Sequence, residues 1–325
     1  AVGPSRVDRV GRLVGARIGD VEQVAGGEVS PVTVFNHLRK RGVQLRDKVE
    51  AVIKAVTKHE KRSFSGDSRE KAYLMGYAQG DLYVTRHGRA IRVKTGTTHP
   101  AMAQLFAKCF GTHGPIYKSA RTAPFTEYEW PLTADLDKSF EFLLNKYSTK
   151  LQRVPRDSIT SLHYLAGIFD SEGSIYLHRK SRGFAPELMI VNSNHSLIQE
   201  LSKGLQRVGF FSVTEYRRQK AGRSGINVSG DIWRIRIWRF DDVQKLLRVL
   251  PLRHAEKVEK ARLALKIIQP LRSAHSSQAV RDWRNYQKKL KAEREQFLNE
   301  ARAMLEAKKA RILRNATNGA KFTTE

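Results

Sequence analysis

Two carboxylates, Asp81 and Glu172, each follow a small residue that ends an apolar stretch: Gly80 in YLMGYAQGDLYV, residues 73–84, and Ser171 in YLAGIFDSEGSIYL, residues 164–177. Four residues earlier, Gly76 and Gly167 hold the matching small positions. Small residues spaced by four share one helical face, so two such helices can meet backbone to backbone. That packing would carry Asp81 and Glu172 to one place. Two carboxylates held together repel at neutral pH, which raises one pKa or demands a cation. Beside a polyanionic substrate a divalent ion meets the demand, because hard oxygen ligands suit magnesium and it bridges carboxylate to phosphate. The helix macrodipole disfavours an acid at a C-terminus, so its occurrence at both matching places argues against two acids that merely end their helices.

The charge balance names the polyanion. The 325 residues include 59 Lys plus Arg against 32 Asp plus Glu, a formal net charge of +27. Such a surplus attracts nucleic acid, although composition alone fits an RNA-coating protein equally well. Phosphodiester hydrolysis needs an activated water and compensation of charge on the leaving oxygen; shared divalent ions supply both without a side-chain nucleophile. Other chemistry lacks a signature here: there is no GxxxxGK[ST] loop, no GxGxxG turn and no HExxH motif. The single Cys109 excludes an intramolecular disulfide. No apolar run of spanning length or signal-peptide pattern is found, so an intracellular protein with no membrane partner is expected.

The elements that must position the acids repeat as well. Helix and strand periodicities after each apolar stretch read αββαββα twice, with strands at 82–86, 90–95, 114–121 and 125–131 and a helix at 135–147 in the first copy. The second copy has strands at 174–179, 186–192, 210–218 and 231–239 and a helix at 241–249. The expected fold is α+β, with two antiparallel sheets each covered by helices on one face. Strand alternation assigns groove-facing residues: Arg92 and Lys94; Ser174, Tyr176 and His178; Thr214, Tyr216 and Arg218; Arg234 and Arg236. Arginine there can read guanine edges, whereas lysine more often meets phosphate.

Outside this core, residues 1–65 form a separate unit that resembles a helix-turn-helix. Ser30 and Pro31 are placed to start its second helix, and Gly42 to end it. Thr33, Asn36, Arg39 and Lys40 would face DNA, and a connecting helix is expected over 46–62. Residues 66–150 and 151–270 are the two repeated domains. Residues 271–325 are a basic helical extension, read as a solvated helix because both signs of charge lace it.

LAGIFDSEG, residues 165–173, and LMGYAQGDL, residues 74–82, resemble the paired motifs of the LAGLIDADG homing endonucleases in their single-chain, pseudo-symmetric form. In the first copy Gln79 replaces an acid and Leu82 the terminal glycine. The resemblance covers about residues 70–270. It implies motif helices at the domain interface, both sheets joined in one saddle over duplex DNA, and a monomer. It implies Asp81 and Glu172 as metal ligands, joined by the backbone carbonyls of Gly80 and Ser171, and gives Asp170 a structural role. It implies two or more Mg2+ ions, with Mn2+ able to substitute, and a lysine near the metals, here Lys257 or Lys94. Gln79 and Asn192 are candidates for ordering water. The function implied is intron-encoded, site-specific double-strand DNA cleavage. Two alternatives stand beside it: a splicing maturase that binds intron RNA, and a helix-turn-helix regulator that does not cut.

Overall fold

The computed structural model describes residues 36, 39–42, 61–123, 127–144, 154–180, 183–219, 230–268 and 275–320. Contacts divide the chain into two compact units, Ala1–Glu60 and Lys61–Glu325. In the first, Asn36, Arg39 and Lys40 are helical and exposed. Gly42 ends that turn at a φ of 70°, where its N–H donates to the Arg39 carbonyl at 3.1 Å. Glycine reaches this left-handed conformation without a Cβ penalty. Thr33 lies outside the described residues, as does the connecting helix expected over 46–62 except for Lys61 and Arg62, which are not helical.

The second unit holds the repeat. Its first copy runs α1 (Ser68–Gln79), β1 (Tyr83–His87), β2 (Ala90–Thr97), α2 (Pro100–Phe110), β3 (Ile116–Lys118), β4 (Arg121–Ala123) and β5 (Glu127–Leu136). The second runs α3 (Ser158–Glu172), β6 (Gly173–Lys180), β7 (Gly183–Asn192), α4 (His195–Arg207), β8 (Val213–Gln219), β9 (Gly230–Ile237) and α5 (Phe240–Val249). Helices α6 (Ala255–Ile268) and α7 (His275–Ala320) follow. Both sheets are antiparallel and share one strand order, β1-β2-β5-β3 and β6-β7-β9-β8, with β4 as an added partner of β5.

Side-chain alternation gives each sheet a buried face. Ile91, Val93, Leu132, Ala134 and Leu136 line the core in the first sheet, and Ile175, Leu188, Ile190, Ile235 and Ile237 in the second. Both motif helices start on an aspartate cap. Asp67 accepts from the N–H groups of Arg69 and Glu70 at 3.0 and 2.9 Å, and Asp157 from that of Thr160 at 2.8 Å. The helix expected over 135–147 is corrected: β5 continues to Leu136, and a 3-10 helix occupies Lys138–Leu143. Alternation of Leu132, Ala134 and Leu136 into the core keeps the chain extended, and the Asp137 carboxylate then starts the tighter helix by accepting from the Ser139 N–H at 2.9 Å.

The C-terminal helix departs from the solvated reading. Ala279, Val280 and Trp283 join the main core, and Phe297 and Ala301 close a second cluster with Ala120 and Trp130 of the first half. The Trp130 indole N–H donates to the Phe297 carbonyl at 2.8 Å, and the Lys118 ammonium lies 3.8 Å from the Trp130 ring centroid. Charge interleaving hid a stripe of apolar residues too sparse to dominate the periodicity. Phe297→Ala is expected to cost about 3 kcal/mol of stability in urea unfolding, through lost burial and a residual cavity. Among the described residues, no helix is long and apolar enough to cross a membrane.

Candidate active site

Helices α1 and α3 lie side by side through their small residues. A Cβ at Gly76 would land on the Tyr164 carbonyl oxygen, one at Gly167 on the Tyr73 carbonyl oxygen, and one at Gly80 on the Ser171 side chain with Glu172 Cγ at 2.9 Å. Contacts that advance together along both helices mean that the two run parallel and end side by side. Each parallel helix contributes roughly half a negative charge at its C-terminus, added to the carboxylates that follow. Asp81 is exposed and Glu172 half-buried.

Lys257 of α6 answers part of this negative focus. Its ammonium donates to the carbonyls of Phe169 and Asp170 at 2.6 Å each and of Ser171 at 3.2 Å, capping the last turn of α3. Burial draws the group down to about 8, against the pull of Asp170, Asp81, Glu256 and Glu172, which favour its charged form. Asn192 donates to Glu172 Oε1 at 3.3 Å while its own oxygen accepts from the Asn194 N–H at 2.8 Å, so its amide orientation is fixed. Asp170 is fully buried and accepts from the Tyr73 hydroxyl and the Arg253 N–H, both at 2.7 Å.

A cleft of about 540 Å³ opens at this junction, lined by both halves, with Asp81, Gly96, Arg121, Ser171, Ser174 and Lys257 among its walls. Lys94 is exposed on β2 and is not among the lining residues, whereas Lys257 is. Among the described residues, no three His, Cys, Asp or Glu side chains converge as a cage for a metal ion. The donor set still suits magnesium, which keeps several waters and is held by one or two carboxylates together with substrate phosphate.

The sheet faces pointing away from the core carry the remaining candidates. On the first sheet Arg92 donates to Asp135 at 2.6 and 2.8 Å, and Lys94 faces Tyr83 and Thr133 across the ladders. On the second, Ser174, Tyr176, His178, Arg234 and Arg236 share the open face. The register corrects the assignment of Thr214, Tyr216 and Arg218 to this face. Thr214 pairs with Ile235 and Tyr216 with Trp233, so their side of β8 is the one that meets the core, and Arg218 stands opposite Asp231. Glu215 and Arg217 take their place, because β8 is an edge strand whose alternation alone does not tell inside from outside.

The open-face arginines are held by acids. Arg236 donates to both oxygens of Glu187 and to Glu215 at 2.7 Å, and Arg234 donates to Glu215 at 2.6 Å. These contacts hold the Glu187 and Glu215 carboxyls below their ordinary range. Neither acid, nor Asp135, was anticipated as a groove residue. No local signal marks them: Glu187 shares the face of Arg236 only through the pairing of Met189 with Arg236, a relation between distant strands. Arg253, His254, Arg121 and Glu129 were also missed, because they reach the site from loops and strand ends that carry no motif.

Residues 160–251 match the family model of the LAGLIDADG-like domain. The ATP-dependent DNA helicase Hel308 of Methanocaldococcus jannaschii is 30% identical over 126 residues, which are 38% of this chain and 10% of that protein, so the chain spans only a small part of that relative. Among solved structures, the homing endonuclease I-DmoI in complex with DNA and Ca is 17% identical, covering 60% of this chain and 97% of that one with a TM-score of 0.39. I-GzeII with its DNA target is 8% identical, with 65% and 96% covered and a TM-score of 0.41. The N-terminal LAGLIDADG domain of DUF199/WhiA is 14% identical, with 60% and 88% covered and a TM-score of 0.40.

Proposed function

We propose that this chain, whose residues 160–251 form a LAGLIDADG-like domain, is a site-specific double-strand DNA endonuclease of the homing type. The observation that carries the reading is the parallel contact of α1 and α3, which supports Asp81 and Glu172 as partners at one junction between two open-faced sheets. Asp81 and Glu172, with the carbonyls of Gly80 and Ser171, would hold Mg2+ or Mn2+. Held there, such ions would activate a water for attack and offset charge on the scissile phosphate.

The chain's own residues do the rest. Lys257 keeps the end of α3 compact and places a positive charge beside the phosphate path. Asn192 orients Glu172. Lys94 meets phosphate on the first sheet, where Arg92 is presented in the fork that Asp135 fixes; Arg234 and Arg236 are presented likewise on the second. Ser174, Tyr176 and His178 extend that surface; Asn36, Arg39 and Lys40 are DNA contacts of the N-terminal unit in its own right. The +27 net charge makes affinity for duplex DNA steeply dependent on salt. One chain carries both halves, so a monomer is expected to act alone, and an intron is the expected coding context.

The experiment incubates the chain with plasmids bearing candidate target sites in magnesium, calcium or chelator. Linear product in magnesium alone is the expected result. Binding without cutting in every condition would instead mark a regulator, and preference for intron RNA over duplex DNA a maturase.

A further inference from the structure

One segment grips both motif helices. Arg253 stands in the turn before α6, and its backbone N–H donates to Asp170, in the last turn of α3, at 2.7 Å. Its guanidinium reaches the other helix, donating to the two oxygens of Glu70 in the first turn of α1 at 2.8 and 2.6 Å. On the way it stacks over the Tyr73 ring, 3.8 Å from the centroid, and the Tyr73 hydroxyl donates to the same Asp170 oxygen. Four residues further along, Lys257 holds the final carbonyls of α3.

The glycine contacts bring the helices close, yet a backbone surface packed on another resists separation better than it resists sliding. A planar two-point ion pair is directional. Drawn between the start of α1 and the end of α3, it opposes axial displacement of one helix against the other, and such displacement would part Asp81 from Glu172. The device is one-sided: Asp170 has its counterpart at Gln79, which has no carboxylate to receive a matching turn.

We propose that Arg253 is a positioning residue, which through Glu70, Tyr73 and Asp170 sets the axial register of α1 on α3 and so the metal affinity of the junction. This rests on the endonuclease reading above. The test uses Arg253→Met, Arg253→Lys and Glu70→Gln in the full chain bound to target DNA. Calcium affinity is measured by titration, cleavage by the ratio of nicked to linear plasmid across magnesium concentrations, and folding by thermal melting.

Arg253→Met is expected to weaken calcium binding roughly 10–100-fold, as loss of an orienting outer partner does. It should let nicked plasmid accumulate while metal-free DNA affinity stays near the parent value, and Arg253→Lys should recover part of the loss. Calcium affinity and nicking that match the parent in both Arg253→Met and Glu70→Gln would overturn the proposal. Glu70→Gln decides alone if Arg253→Met does not fold. Should the parent chain itself neither cut nor bind calcium, the endonuclease reading fails. Amide exchange over residues 76–81 then judges the clamp: faster exchange in the variants sustains it, and unchanged exchange ends it.

Discussion

Asp81→Asn and Glu172→Gln are each expected to lower cleavage by on the order of 10³-fold, the scale at which a group that stabilises developing charge is lost, while target affinity in calcium-free buffer stays close to the parent value. The amides keep the volume and the hydrogen-bonding reach of the acids but remove the negative charge. At the ends of two parallel helices that removal relieves repulsion, so melting temperatures should hold or rise. A damaged fold would instead lower both cutting and melting temperature. Single-turnover assays on plasmid, run beside electrophoretic binding and thermal melting, make the distinction. Wild-type cutting by either variant would refute the assignment of the two acids.

Gly76→Ala is expected to destabilise the second compact unit by about 3 kcal/mol, at the upper end of ordinary overpacking costs. The added methyl meets the Tyr164 carbonyl oxygen, a backbone atom that cannot rotate aside, and Gly167→Ala meets the Tyr73 carbonyl in the same way. Gly80→Ala should cost less, although its methyl meets the Ser171 Cβ at 2.5 Å, which no rotamer change moves, because Gly80 sits at the C-cap of α1, where the chain end can shift more readily than the helix interior. Urea unfolding of the three variants tests the order. No loss at any of the three positions would mean that α1 and α3 do not pack through these faces, and equal losses would overturn the expected order alone.

The repeated stretches made the architecture legible. A small residue every fourth position, an acid directly after and alternating sequence beyond define a helix, its contact face and the strand it feeds, all from neighbours in the chain. The same locality explains the failures. Thr214 and Tyr216 share a parity that alternation reports faithfully, but which parity faces the core depends on the pairing of β8 with β9, a relation between distant segments. Arg234 and Arg236 looked like bare basic residues, because their partners Glu187 and Glu215 come from two other strands. Arg253 carries no motif, and its importance lies in reaching Glu70, 183 residues earlier. Lys257 was singled out, with Lys94, only because the family resemblance implies a lysine near the acids; periodicity marks its helix but not its contact with the last carbonyls of α3.

The bond from Trp130 to the Phe297 carbonyl joins residues 167 positions apart. During synthesis the first sheet is complete long before that partner emerges, so Ala120 and Trp130 stay uncovered until the ribosome has passed Ala301. A nascent chain stalled short of this point would present an indole and its neighbouring apolar surface to chaperones. Burial of this surface is thereby tied to the synthesis of α7, and N-terminal fragments ending before α7 should be aggregation-prone even though both acids are already made.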